Sequence, residues 1–259
     1  MIIATWNVNS ISVREPQVVE WIKANRPNVL CIQETKITDD KFPQAAFKQL
    51  GYNVEFCGEK TYNGVAIIAD QPIECVLRGL PGEGQPQACR FIEAKVGGIS
   101  VANVYIPNGQ AVGSDKYAYK LRWLENLRQH LLNSHKPDER LVVLGDYNIA
   151  PEDIDVYNAI ETAGTIMVSE EERQALSRIR DWGLTDTYRM HVKEGGNFSW
   201  WDYRMMAFRR NMGYRIDHIW ATEPVARLSR RAWIDKATRK LERPSDHAPV
   251  VIEIADVLN

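Results

Sequence analysis

The chain has 259 residues, 44% hydrophobic and 25% charged, with a formal net charge of −2 from 32 basic and 34 acidic side chains. These proportions are globular and exclude a disordered chain, a collagen-like repeat and a coiled coil, while the length admits one large α/β domain or two small ones. A net charge so near zero cannot by itself hold a protein on a nucleic acid.

Met1–Thr5 has neither the basic stretch nor the long apolar stretch of a secretory leader, so none is expected. No apolar run approaches the roughly 18–20 residues of a membrane helix. A soluble, cytoplasmic protein is expected. Short β-branched runs alternate with amphipathic stretches along the chain. A strand at Ile2–Trp6 precedes a helix at Pro16–Ala24, with Val18, Val19 and Ile22 on its apolar face. Strands follow at Val29–Ile32 and Val65–Ile68, then a Gly/Pro loop at Gly79–Pro86 and a strand at Ile99–Tyr105. After the loop Pro107–Gly113 come a helix at Lys116–Leu132 and a strand at Leu141–Leu144. Ser169 with Glu172 three residues on reads as a capping box for a helix at Ser169–Trp182. A loop at Gly195–Asn197 and strands at Tyr214–Trp220 and Val250–Ile254 complete the pattern. With no linker or repeat in sight, residues 1–259 read as a single α/β domain. No exposed heptad marks an oligomer, so a monomer is expected.

The four cysteines, Cys31, Cys57, Cys75 and Cys89, have no zinc-clip or redox-pair spacing and read as reduced and structural, Cys31 and Cys57 as small hydrophobes within apolar runs. The chemistry lies where the strands stop. They run out at Asn7, Glu34, Tyr105 and Asp146, with Asn148 close behind; Asp217 interrupts an apolar run, and Asp246-His247 leads into the last strand. Singly these are turn formers. Six such ends rich in oxygen donors instead suggest one site on a sheet edge. Carboxylates and amides without thiolates suit a hard divalent cation, Mg²⁺ or Mn²⁺, rather than Zn²⁺. Neighbours on a strand face opposite ways, so Asp217 is free to orient His247 while His218 points elsewhere. His130, His135, His191 and His218 read as structural or surface residues. From Trp201 to Val250 eleven Lys/Arg against six Asp/Glu leave a local balance of +5, which suits a phosphate backbone.

Six motifs carry a resemblance: Trp6-Asn7-Val8-Asn9, Gln33-Glu34-Thr35-Lys36, Tyr62-Asn63-Gly64-Val65, Gly145-Asp146-Tyr147-Asn148, Arg215-Ile216-Asp217 and Ser245-Asp246-His247. With the aromatic block Phe198–Arg204 they resemble, nearly end to end, the exodeoxyribonuclease III and apurinic/apyrimidinic (AP) endonuclease branch of the exonuclease–endonuclease–phosphatase superfamily. The resemblance implies a DNase I-like four-layer α/β sandwich, two mixed sheets face to face with helices outside. It implies a Mg²⁺-dependent DNA-repair phosphodiesterase working on double-stranded DNA at abasic sites or 3′ ends, with Mn²⁺ as a substitute. The same fold acting on RNA or a soluble phosphoester is the alternative, and a catalytically silent DNA-binding member is a remoter one.

By the same resemblance the metal lies among Asn7, Glu34, Asp146, Asn148, Asp246 and His247, with Glu34 a direct ligand and Asp246 acting through water. Asp146 would activate or orient the attacking water, Asn148 would position it, and Tyr105 would hydrogen-bond the phosphate or leaving group. His247, oriented by Asp217, would bind the scissile phosphate; Asn9 and Asn108 would be further contacts to metal or phosphate. Trp200, Tyr214 and Ile216 match an apolar slot for a base-less sugar. Met167 falls where AP endonucleases tend to carry a small residue, so it is expected to narrow that slot and favour DNA ends over internal abasic sites.

Overall fold

The computed structural model describes residues 1–84 and 88–255. The first half runs β1 (Ile2–Asn7), α1 (Ile11–Asn25), β2 (Val29–Gln33), α2 (Gln44–Lys48), β3 (Asn53–Cys57), β4 (Val65–Ala69), β5 (Ile73–Arg78), β6 (Phe91–Val96) and β7 (Ile99–Tyr105). The second runs α3 (Asp115–Ser134), β8 (Leu141–Asp146), α4 (Ala159–Thr162), α5 (Glu170–Arg180), β9 (Leu184–Asp186), α6 (Thr187–His191), β10 (Asp217–Thr222), α7 (Glu223–Ala226), β11 (Ser229–Ile234) and β12 (Val250–Ile254).

The strands form two mixed six-stranded sheets, ordered β11-β12-β1-β2-β4-β3 and β5-β6-β7-β8-β10-β9. Each sheet has one parallel pair, β1/β2 and β7/β8, because each of those connections carries a long crossover helix, α1 or α3. Alternation along the strands then sets three cores. Ile3, Val29, Cys31, Val142, Leu144 and Ile219 face the other sheet and are fully buried between the two. Ala4, Trp6, Leu30 and Ile32 pack outward under α1, and Leu141, Val143 and Trp220 pack outward under α3 and α5. The layers are helix, sheet, sheet, helix, the DNase I-like sandwich.

The same alternation places the site. Continuing the inner face to the strand ends leads from Ile3 to Thr5 and Asn7, from Cys31 to Gln33, from Leu144 to Asp146 and from Ile219 back to Asp217. The inter-sheet layer is apolar along most of its length and polar at one end. Gln33 Nε2 donates to Thr5 Oγ1 at 2.8 Å and across the sheets to Asn103 Oδ1 at 2.7 Å. Asn103 Nδ2 donates back to the carbonyls of Ile32 and Ala66 at 3.0 and 2.9 Å. These buried amides tie the two sheets together directly beneath the strand ends.

Several local expectations need correction. The first helix begins at Ile11 rather than Pro16, and Pro16 is accommodated inside it. The strand expected at Tyr214–Trp220 begins only at Asp217; Tyr214 leaves the sheet to pair with Trp200, and Arg215 N donates to Asp155 O at 2.8 Å. Five strands, β3, β5, β6, β9 and β11, were not anticipated, and Cys57 is only partly buried. The capping box at Ser169 and Glu172 has both its bonds. Of the loop expected at Gly79–Pro86, Gln85 and Pro86 lie outside the described residues. Among the described residues no helix is long and apolar enough to cross a membrane.

Candidate active site

The polar end of the sandwich brings together ligand groups far apart in sequence. Asn7 Nδ2 donates to Glu34 Oε1 and to Asp146 Oδ2, both at 2.8 Å, and so spans the two sheets. Single ligand atoms of Glu34, Asp146 and His247 lie within 4.8 Å of one another, a group that could hold a metal ion. His247 Nδ1 donates to Asp217, 2.9 Å from Oδ2, while its Nε2 lies 3.8 Å from Asp146 Oδ2. That gap is too long for a direct hydrogen bond. His218 points the other way: its Nε2 donates to Ile149 O and its Nδ1 accepts from Arg215, each at 2.9 Å.

Each group is held by its loop. Glu34 sits at φ 53°, a left-handed conformation that is uncommon for a residue with a Cβ. The turn is fixed from both sides, by Ser10 N on Glu34 O at 2.7 Å and Thr35 N on Gly64 O at 3.2 Å. Gly64, at φ +94°, permits that approach, since a Cβ there would overlap Thr35 Oγ1. Asn148 is also left-handed, with its N–H on Asp146 Oδ1 at 2.9 Å and its Oδ1 taking Asn108 Nδ2 at 3.0 Å. Beneath them Lys120, fully buried, donates to Asn148 O at 2.7 Å, to Asn108 O at 3.1 Å and to Glu172 Oε1. Removing one member of such a buried pair costs about 3–5 kcal/mol, because the other charge stays buried and uncompensated. Lys120 and Glu172 thereby lock α3 and α5 to the cleft loops.

Asn9 bridges the remaining groups: its Nδ2 donates to Asp246 Oδ1 at 2.9 Å and its Oδ1 accepts from Lys36 Nζ at 2.6 Å. Lys36 Nζ also lies 2.7 Å from Glu34 Oε2. Trp200 Nε1 donates to Asp246 Oδ2 at 3.0 Å and links the cleft to an apolar cavity of about 490 Å³. Met167, Trp200 and Tyr214 line it, with Tyr157, Ile166, Met205 and Met212. Ile216 packs against Met167 in the same cluster but does not line the cavity.

Burial and charge perturb these groups. Burial pushes the Asp146 carboxyl up to about 7, and the carboxylates of Asp217 and Glu34 add to it against His247. Burial also raises the Glu34 carboxyl, but Lys36 and the Asn7 hydrogen bond outweigh it and the net shift is downward. His247 is raised to about 10: burial opposes its charge, and Asp217 and Asp146 more than restore it. Tyr105, within hydrogen-bond reach of Glu34, is raised well above an ordinary phenol, chiefly by burial. The basic stretch is thinner than its count. Arg215 is buried against Asp155 and Asp186, and Arg239 is buried among Trp201, Tyr203 and Phe208.

Gln33, Lys36, Asn103, Lys120, Ser199 and Ser245 were not singled out from the sequence. Ser199 Oγ accepts the Asp217 N–H at 3.0 Å, and Ser245 Oγ donates to Asn7 O at 2.7 Å. Gln33, Lys36, Ser199 and Ser245 each fall inside one of the motifs that carry the resemblance, which is the only sequence signal they give; Asn103 and Lys120 have none and act through partners distant in the chain.

Known proteins resemble this chain over nearly all of its length. Exodeoxyribonuclease III of Haemophilus influenzae is 32% identical over 261 residues, covering 96% of this chain and 98% of the relative. Among solved structures, the Neisseria 3′ phosphatase NExo bound to product DNA hairpin superposes with a TM-score of 0.94 at 43% identity, covering 98% of this chain and 99% of that one. An AP endonuclease from Archaeoglobus fulgidus superposes with a TM-score of 0.95 at 40% identity and the same coverage. The endonuclease/exonuclease/phosphatase family model matches residues 4–247, nearly all of the sandwich with every strand end described above, and the chain belongs to that family.

Proposed function

We propose that this protein is a Mg²⁺-dependent DNA-repair phosphodiesterase of the exodeoxyribonuclease III type, with Mn²⁺ as a substitute. It acts as a monomer on 3′ ends of double-stranded DNA, as 3′→5′ exonuclease and as 3′ phosphatase or phosphodiesterase. The observation that carries this reading is the convergence of Glu34, Asp146 and His247 from both sheets, beside an apolar cavity. The donor set fits the cation: two carboxylates and neighbouring amide oxygens are hard ligands, no thiol joins them, and an ammonium already rests on Glu34 and Asn9. When bound, the ion polarises a phosphoryl oxygen and offsets charge on the leaving oxygen.

The chain's own groups supply the rest. Asp146, its carboxyl raised to about 7, orients the attacking water and takes up its proton. His247 is an imidazolium at neutral pH, held by Asp217, and its Nε2–H binds the scissile phosphate. Tyr105 keeps its proton and donates a hydrogen bond to the phosphate or leaving group. Asn148, fixed by Asn108 and Lys120, positions the water. Met167 on the cavity wall favours end trimming: a bulky side chain beside Trp200 and Tyr214 narrows the seat an extruded abasic sugar needs.

Two matched 5′-labelled duplexes test this reading, one with an internal abasic-site analogue and one with only a recessed 3′ end, each with Mg²⁺ and with EDTA. Chelator-sensitive laddering from the recessed end without incision is expected. Rapid incision would make the protein an AP endonuclease, and no cleavage with any divalent cation would overturn DNA as the substrate in favour of RNA or a soluble phosphoester.

A further inference from the structure

A second group of ligand-type side chains converges on the outer face of the second sheet, toward the far end of α3 from the cleft. Glu93 of β6 sets its Oε2 2.7 Å from His130 Nε2 and its Oε1 2.9 Å from the Nε2 of His135, which follows α3 directly. One ligand atom from each lies within 4.8 Å of the others. The histidine side chains are 2% and 7% exposed and that of Glu93 is 14% exposed.

Two features separate this group from an ordinary surface ion pair. Both imidazoles turn Nε2 inward and back Nδ1 with an oxygen: Ser134 Oγ is 3.3 Å from His130 Nδ1, and Glu139 Oε2 is 3.5 Å from His135 Nδ1. Ligating histidines are oriented in this way. In addition, His135 Nε2, on a side chain more than nine-tenths buried, meets Glu93 Oε1 at 2.9 Å as an ion-pair contact that lacks hydrogen-bond geometry, so it is aimed at the group without a well-formed hydrogen bond there. A cation at the point of convergence would satisfy that nitrogen.

We propose that Glu93, His130 and His135 form a structural site for a divalent transition-metal ion, Zn²⁺ by its chemistry, completed by water or by Glu139. Two imidazoles and one carboxylate suit a borderline ion and not Mg²⁺, which prefers all-oxygen shells. Tetrahedral bonds of about 2.0–2.1 Å place ligand atoms roughly 3.3 Å apart, a spacing that lies between the 2.7 and 2.9 Å carboxylate–imidazole contacts and the 4.8 Å limit within which one ligand atom from each residue falls. The ion would fasten β6 to the end of α3, the helix whose Lys120, about 15 Å away along its axis, holds the carbonyls of Asn108 and Asn148. It would stabilise the fold without taking part in cleavage.

The test titrates Zn²⁺ calorimetrically into the full chain freed of metal, as wild type, Glu93→Gln, His135→Gln and, to weaken the cleft, Glu34→Gln. One Zn²⁺ equivalent is expected to persist in E34Q and to weaken at least tenfold in E93Q and in H135Q. Zn²⁺ should raise the thermal midpoint of E34Q and not that of the double variant E34Q/H135Q, while Mg²⁺-supported cleavage by H135Q, its cleft intact, stays at the wild-type rate and shows that this substitution leaves the fold in place. Equal affinity in H135Q and wild type, loss of all Zn²⁺ binding in E34Q, or no saturable binding in the wild type would each overturn the proposal.

Discussion

Replacing Met167 with glycine tests how the cavity selects its substrate. Met167 is 8% exposed and sits at φ 73°. Truncating a buried methionine costs about 2–5 kcal/mol. Glycine recovers about 1–2 kcal/mol of that, because an L-residue is strained in the left-handed region. The net loss of about 0–4 kcal/mol stays below a typical stability of about 5–15 kcal/mol. The backbone has reason to stay in place: Met167 N donates to Glu172 Oε1 at 3.1 Å and its carbonyl accepts from Ala150 N at 2.8 Å, and glycine keeps both bonds. What changes is the wall between Ile166 and Trp200, which loses a whole side chain. A single methylene in an apolar pocket is worth about 10–200-fold in discrimination. Incision at an internal abasic analogue, divided by 3′-end resection from the same preparation, should therefore rise at least tenfold in M167G, with resection nearly unchanged. A ratio that moves less than threefold in a folded variant would refute the steric argument.

Asp217→Asn should lower kcat by about 10²–10⁴-fold with little effect on KM, since it removes the negative charge that keeps His247 protonated and oriented while preserving shape. The raised pKa of His247 should fall with it, so the alkaline limb of the pH–rate profile should move to lower pH; an unmoved limb would remove His247 from its phosphate-binding role. A second pH effect concerns stability. Arg215 can only donate to His218 Nδ1 and Ile149 O can only accept from Nε2, so the ring is held neutral, its pKa lowered to about 4 by burial and by Arg215. A histidine depressed in the folded state stabilises fully above its unfolded value of about 6.5 and loses that stabilisation as pH falls toward 4, about 2 kcal/mol of it between pH 7 and 5. Urea unfolding at those two pH values should show wild type losing about 2 kcal/mol more than His218→Gln, and equal losses would exclude His218 as the cause.

The strands legible in the sequence are those buried on both faces. Ile2–Trp6, Val29–Ile32 and Leu141–Leu144 read as unbroken apolar runs because they sit mid-sheet between helices and the opposing sheet. Those missed are mostly edge strands. β5 is exposed along most of its length, β3 has one buried residue, and β11 carries the adjacent, exposed Arg230 and Arg231. β6 is internal but carries Glu93 and Lys95 on its outer face, which broke the apolar run. The candidate site was legible because an apolar strand that stops on Asn, Asp or Glu is visible locally. Its supports were not, because Lys120, Ser199 and Gln33 act across long separations and look like ordinary polar residues where they occur.

The strand order has a consequence for biosynthesis. β12 is not an edge strand: it lies between β11 and β1, pairing Val250–Glu253 with Ile2–Thr5. During translation the first strand must therefore wait for a neighbour nearly the whole chain away, and Asp246 and His247 emerge just before that neighbour. Such non-local pairing slows folding. It also means that a chain synthesised only as far as Asp146 holds Glu34 and Asp146 without the imidazole that faces them. Until Asp246 and His247 have been made and β12 lies beside β1, the cleft lacks two of its groups.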